Sequence, residues 1–117
     1  MTAELRRMHS PDVPDLRSWS PPTERFAVLI QLMVGPADGP GEESFDVTLC
    51  TASWLAERAV SEGVVDAQHH VVVDGYDYDA IVQYFTRRVA ACKGSTWQDV
   101  AAKVGRLGRW EFEDYTG

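Results

Sequence analysis

Two adjacent histidines, His69 and His70, a cysteine, Cys50, and a crowd of carboxylates at Glu42, Glu43, Asp46, Asp74, Asp77 and Asp79 are the residues that could do chemistry here. Histidine and cysteine suggest a metal. Neighbours on a strand point to opposite faces, so His69 and His70 do not chelate one ion from that geometry. A zinc site wants a third and usually a fourth ligand, and His9 and Cys50 stand at no ligand spacing. Cys50 suggests a nucleophile, because the start of a helix lowers a thiol's pKa. Its base would have to be a histidine, and no residue is placed to orient that base. Paired acids suggest a hydrolase, but one of the pair must be held protonated in an apolar pocket. These acids read as loop and helix-cap residues, where water and amides keep them ionised. The glycines of "GPADGPG" (35–41) lack the lysine and serine or threonine of a phosphate loop, and acids follow them. The expectation is no catalytic residue, no metal and no cofactor.

What remains is binding. The 117-residue chain carries a net charge of −7. The charge is uneven: residues 26–80 hold ten acids and one base, Arg58, while residues 81–117 hold four acids and six bases. A nucleic acid would be repelled by the middle region and a basic protein attracted. Arg87, Arg88 and Lys93 form a small basic group without aromatics arranged for base stacking, so no nucleic-acid partner is expected. Tyrosine and tryptophan are favoured at protein interfaces, though they also fill cores. The least core-like are Tyr76 and Tyr78, which alternate with Asp77 and Asp79 as "YDYD". The closing "GRWEFEDY" (108–115) sets Trp110 and Phe112 against Glu111, Glu113 and Asp114. Candidate partner-binding residues are therefore Glu42, Glu43, Asp46, Tyr76, Asp77, Tyr78, Asp79, Glu111, Glu113 and Asp114.

Elements must position these groups. "TAELRRMHS" (2–10) reads as a first strand. Pro11, Pro14, Pro21 and Pro22 then impose a long irregular connection, with Leu16 and Trp19 pinning it to the core. In "RFAVLIQLMVG" (25–35), Phe26, Val28, Ile30, Leu32 and Val34 share one face, and the other face is still mostly apolar. That predicts a central strand. "SFDVTLCT" (44–51) returns as its hairpin partner, with Phe45, Val47 and Leu49 inward and an acidic tip between the strands. Thr51 caps a first helix with a short apolar stripe of Trp54, Leu55, Arg58 and Ala59, and Gly63 ends it. "HHVVV" (69–73) is a short strand. Asp77 caps the main helix, about residues 78–92, whose stripe is Ile81, Val82, Phe85, Val89 and Cys92. Ser95 with Gln98 forms a capping box for a last helix carrying Val100, Ala101, Val104 and Leu107, which Gly108 stops. The closing segment alternates like an edge strand, with Trp110 and Phe112 docked and the two glutamates outward.

Strands and helices do not alternate strictly, so the pattern predicts one α+β domain over 1–117, a mainly antiparallel sheet packed against two or three helices. Hydrophobic residues make up 44% and charged residues 25%, enough for one core without staples. Cys50 and Cys92 read as reduced, core-facing thiols. No apolar run follows Arg6 and Arg7, and "FAVLIQLMVG" (26–35) is too short to span a bilayer, so a cytoplasmic protein with no membrane contact is expected.

Four stretches, "MHSPDV" (8–13), "GPADGPGEESFDVTLCTASWL" (35–55), "HHVVV" (69–73) and "GRWEFEDY" (108–115), together resemble the immunity protein 8 family of bacterial polymorphic toxin systems. Proline often follows the threonine of "CT" in that family; Ala52 stands there here, and both suit a first helical turn. The resemblance implies an α+β protein made beside a toxin gene. It would bind and block a cognate toxin domain, without enzymatic activity or cofactor. The acidic middle favours a toxin with a basic surface, as a nuclease would have. Two alternatives stand beside this reading: a small structural or interaction domain unrelated to toxins, and a small Cys/His-dependent enzyme. No residue pattern fixes the oligomeric state.

Overall fold

The computed structural model describes residues 1–113. Its elements run β1 (Ala3–His9), β2 (Ala27–Pro36), β3 (Glu43–Thr51), α1 (Ala52–Glu62), β4 (His70–Val73), α2 (Tyr78–Ala90), α3 (Trp97–Val104) and β5 (Arg109–Trp110). The result is an α+β fold with a mixed, mostly antiparallel sheet of five strands and three helices. The sheet order is β1-β2-β3-β4. The β3–β4 pair is parallel, and α1 lies in the crossover that a parallel pair needs. Strand β5 pairs antiparallel with the start of β3, through Phe45–Trp110 and Asp46–Arg109.

Strand alternation splits the sheet into two unlike faces. Val28, Ile30, Leu32 and Val34 of β2 and Phe45, Val47 and Leu49 of β3 are buried on one face. Helices α2 and α3 cover it, with Ile81, Phe85, Val89, Val100, Ala101 and Val104 turned inward. The α2 stripe follows the expected spacing, except that Val82 sits at its half-exposed margin. Asp77 accepts from the Ala80 amide and starts α2, and Arg87 and Arg88 occupy its last turn, where cations suit the dipole. The irregular connection is pinned as its residues suggest. Leu16 is buried, and Trp19 packs edge-on against Phe26 and Tyr76.

Helix α1 begins at its Thr51 cap and ends at Gly63 (φ 82°), as expected, and none of its own residues is fully buried. Trp54, Leu55 and Ala59 are only half-buried, because α1 stands apart from the core that α2 and α3 close. The cap of α3 is Thr96 rather than Ser95: its hydroxyl accepts from the Asp99 amide, so the acid of the first turn is Asp99 and Gln98 lies outside the capping pair. The same helix ends at Val104 with Gly105 as its cap, before Gly108 is reached. Gly108 has a different job: a Cβ there would lie 2.8 Å from the Val47 side chain, so its bareness lets the chain reach β3. Finally, β5 stops at Trp110. Residues 111–113 form a turn closed by the Glu113 amide on the Trp110 carbonyl, which breaks the strand alternation beyond Trp110.

Candidate functional site

The hairpin tip and the closing segment meet at the start of β3. The Glu111 amide donates to the Ser44 carbonyl at 3.1 Å. In return the Glu111 carboxylate accepts from the Ser44 amide at 2.8 Å. This reciprocal pair gathers Asp38, Glu42, Asp46, Glu111 and Glu113 at one end of the sheet, residues far apart in sequence. Arginines moderate the cluster. Arg7 holds Glu42 at 2.6 Å, Arg109 is the cross-strand neighbour of Asp46, and Arg6 donates to the tip carbonyls of Pro36 and Gly39 at 2.5 Å. Glu42, Glu111 and Glu113 remain exposed, and Asp46 is half-buried on the sheet face that α2 and α3 leave uncovered. Asp114 lies outside the described residues.

Glu43 belongs to this end by position but works inward. Its two carboxylate oxygens accept from the indole of Trp97 at 2.9 Å and from that of Trp110 at 2.5 Å. One side chain thus ties β3 to α3 and to the closing segment, and Trp110 lies stacked beside Phe45 at 6.2 Å. The expected anchoring role holds for Trp110. Phe112 is 40% exposed and packs edge-on against Trp110.

The "YDYD" residues lie elsewhere. Val73 pairs with Thr51 at the far end of β3, and the turn after β4 continues from there. The nine residues of β3 separate this turn from the acidic end, roughly 26 Å at the usual strand rise. Each side chain there has a local structural partner. The Tyr76 hydroxyl donates to the Leu16 carbonyl at 2.5 Å, and desolvation raises its pKa, with smaller contributions from Tyr78 and Asp15. Asp77 caps α2. Tyr78 lies under the Arg17 guanidinium at 4.7 Å, and Asp79 faces the same arginine at 3.7 Å. Together they fasten the proline-rich connection.

The sheet face away from α2 and α3 was not singled out by sequence. Ala27, Leu29, Gln31 and Met33 of β2 point there, with Ser44, Asp46 and Thr48 of β3, all half-buried. Its upper part is the floor of a groove of about 1020 Å³, walled by α1 with Trp54 and Arg58 and by His70 of β4. Arg58 lies over the Trp54 ring at 5.3 Å and pairs with Glu62 at 3.0 Å. The apolar second face of β2 was the available signal for this surface.

His69 and His70 turn to different partners, and both cysteines are buried. His69, with φ 63°, turns its Nε2 to the Gly105 carbonyl at 2.7 Å. His70 points elsewhere, with Nδ1 near the Gln68 carbonyl at 3.0 Å and its ring beside Trp54. Cys50 and Cys92 are both free and buried. Burial raises the pKa of each, the reverse of what an activated thiolate requires; at Cys92, Arg88, Lys103 and Arg106 oppose the shift. Among the described residues, no group of three histidine, cysteine or acidic side chains is placed to hold a metal ion.

The family model described as immunity protein 8 matches residues 3–115, and the chain belongs to that family. Membership supports an immunity-protein role and, in general terms, a toxin as partner. No curated protein and no solved structure gives a significant match. No helix among the described residues is long and apolar enough to cross a membrane.

Proposed function

We propose that this member of the immunity protein 8 family is a non-enzymatic inhibitor that acts in the bacterial cytoplasm, as one domain over residues 1–117, and blocks its cognate toxin domain. The toxin meets the acidic end of the sheet. Glu42, Asp46, Glu111 and Glu113 supply the contact charges, with Asp114 following them in sequence. The observation that carries this reading is the reciprocal Ser44–Glu111 pairing, which joins two acidic segments 67 residues apart in sequence. Held carboxylates lose less freedom on binding than those on a loose tail. Their sign suits a basic toxin surface, which a nuclease needs to grip phosphate. Glu43, Tyr76 and Asp77 take structural roles, since the carboxylates and the hydroxyl are bound within the fold, while the Tyr78 ring and Asp79 lie against Arg17 at the far end of β3, away from the acidic end. No cofactor, metal or nucleic acid enters this mechanism. It is occlusion of the toxin by a complementary surface.

The test is co-expression with the toxin domain encoded beside the gene. The wild type should restore growth and co-purify with the toxin. A variant combining Glu42→Gln, Glu111→Gln and Glu113→Gln should fold normally and protect poorly. Full protection by that variant would move the interface elsewhere, and absence of any complex with the wild type would end the immunity reading for that toxin.

A further inference from the structure

The two edges of the sheet are guarded unequally. Strand β1 carries Glu4, Arg6 and Arg7 and a bulge between Leu5 and Arg7, devices that discourage another strand from pairing there. Strand β4 has none of these. It reads His70-Val71-Val72-Val73, contains no bulge, lysine or proline, and among the described residues pairs only with β3. Val72 is 51% exposed. Beneath the strand, Val71 and Val73 face Ile81, Tyr84 and Phe85 across a groove of about 450 Å³.

The stretch His70–Asp74 is self-complementary when run antiparallel. With Val72 opposite its own copy, Val71 meets Val73 and His70 meets Asp74. By alternation the two valine pairs fall on the groove side, and the histidine–aspartate pairs fall on the other side with Val72. A twofold axis through Val72 therefore matches apolar with apolar and an imidazole with a carboxylate, twice. We propose that β4 is a homodimer edge: two copies join β4 to β4 antiparallel and make one continuous sheet. The acidic ends then point in opposite directions, each free, so that the dimer would present two toxin-binding surfaces. A four-residue strand buries less than the roughly 1,200 Å² of a standard stable interface, so the dimer is weak, with Kd above about 10 µM.

Sedimentation equilibrium of the full chain, from about 1 µM to about 1 mM, reads this directly. The wild type should pass from monomer to dimer. Val72→Lys sets two ammonium groups face to face on the axis and should remain monomeric, with its melting temperature unchanged because the site is exposed. Register is tested by charge: His70→Asp should weaken the dimer about tenfold or more, and His70→Lys should preserve it. A second readout is cross-linking. Val72→Cys, placed in a Cys50→Ala background because Cys50 is its own cross-strand neighbour, should form an intermolecular disulfide on mild oxidation. Val60→Cys, on an 86% exposed site of α1, should not. A wild type that stays monomeric at the highest concentration overturns the proposal, as does a dimer indifferent to Val72→Lys or one in which the two His70 variants behave alike.

Discussion

The two faces of the sheet come from the same strands, yet they do opposite work. Ile30, Leu32, Val34, Phe45 and Val47 have no exposed area under α2 and α3. Their immediate neighbours Leu29, Gln31, Met33, Ser44 and Asp46 stay half-buried. Hydrophobicity alone does not produce the difference, since Leu29 and Met33 are as apolar as the residues beside them. What differs is cover: α2 and α3 each present a buried stripe, while none of α1's own residues is buried. One face holds the fold. The other, with the acidic end beside it, stays half-exposed and is the surface that the proposed function assigns to recognition.

That division can be broken most forcefully in the core. Phe85→Ala should lower unfolding free energy by about 3–5 kcal/mol, through lost transfer energy and a cavity. Leu29→Ala should cost well under half as much, because its side chain is already half in water. Chemical denaturation of both variants gives the comparison, and equal losses would mean that both faces are packed alike. Next in size is the carboxylate that closes the boundary between them. Glu43→Ala removes the acceptor for two indoles and should cost about 1–3 kcal/mol, with a change in tryptophan fluorescence from Trp97 and Trp110. A variant as stable as wild type, with unchanged emission, would remove Glu43 from the structural ledger and return it to the exposed acids.

A smaller effect sharpens the account by pH. Cys50, Cys92 and Tyr76 all have pKa values raised in the folded state, first by burial. The unfolded chain therefore loses these protons first. Their contribution to stability is fully present below the ordinary thiol range and is lost as pH rises through the folded values. Melting temperature should fall on the alkaline side, from about pH 9 upward, and both thiols should resist alkylation in the native state at neutral pH. Rapid labelling of native Cys50 at neutral pH would contradict its burial.

The part of this architecture legible in sequence was the part governed by short-range periodicity. Alternation in β2 and β3 gave the sealed face, the three- and four-residue steps gave α2 and α3, and Thr51, Gly63 and Asp77 marked helix ends. Capping was harder where two hydroxyls adjoin: Ser95 and Thr96 are both good caps, and only the backbone decides that Thr96 serves. The α1 stripe is present as read but only half-buried, because an amphipathic pattern says that one face is less polar, without saying that anything covers it. "GRWEFEDY" misled. Its alternation is strand-like, but β3 offers pairing only through Arg109 and Trp110 before the chain turns. The candidate site was half legible. Sequence marked the acidic segments, but long-range pairing brings Glu111 to Ser44 and sends Tyr76–Asp79 to the other end of β3. No local pattern encodes those distances.

The central claim is that the acidic end receives the toxin. It is tested by association kinetics with the toxin domain encoded beside the gene, at low and high salt, for the wild type and for Glu42→Gln combined with Glu111→Gln and Glu113→Gln. Glutamine keeps an acceptor oxygen for the Ser44 amide at position 111 and for Arg7 at position 42, so each substitution should change stability by about 1 kcal/mol or less. At low salt the variant should associate about tenfold or more slowly, and high salt should bring the two rates together as screening removes the attraction. Equal association rates at low salt, from a variant of unchanged stability, would contradict the claim and leave the acidic end as a solubilising surface.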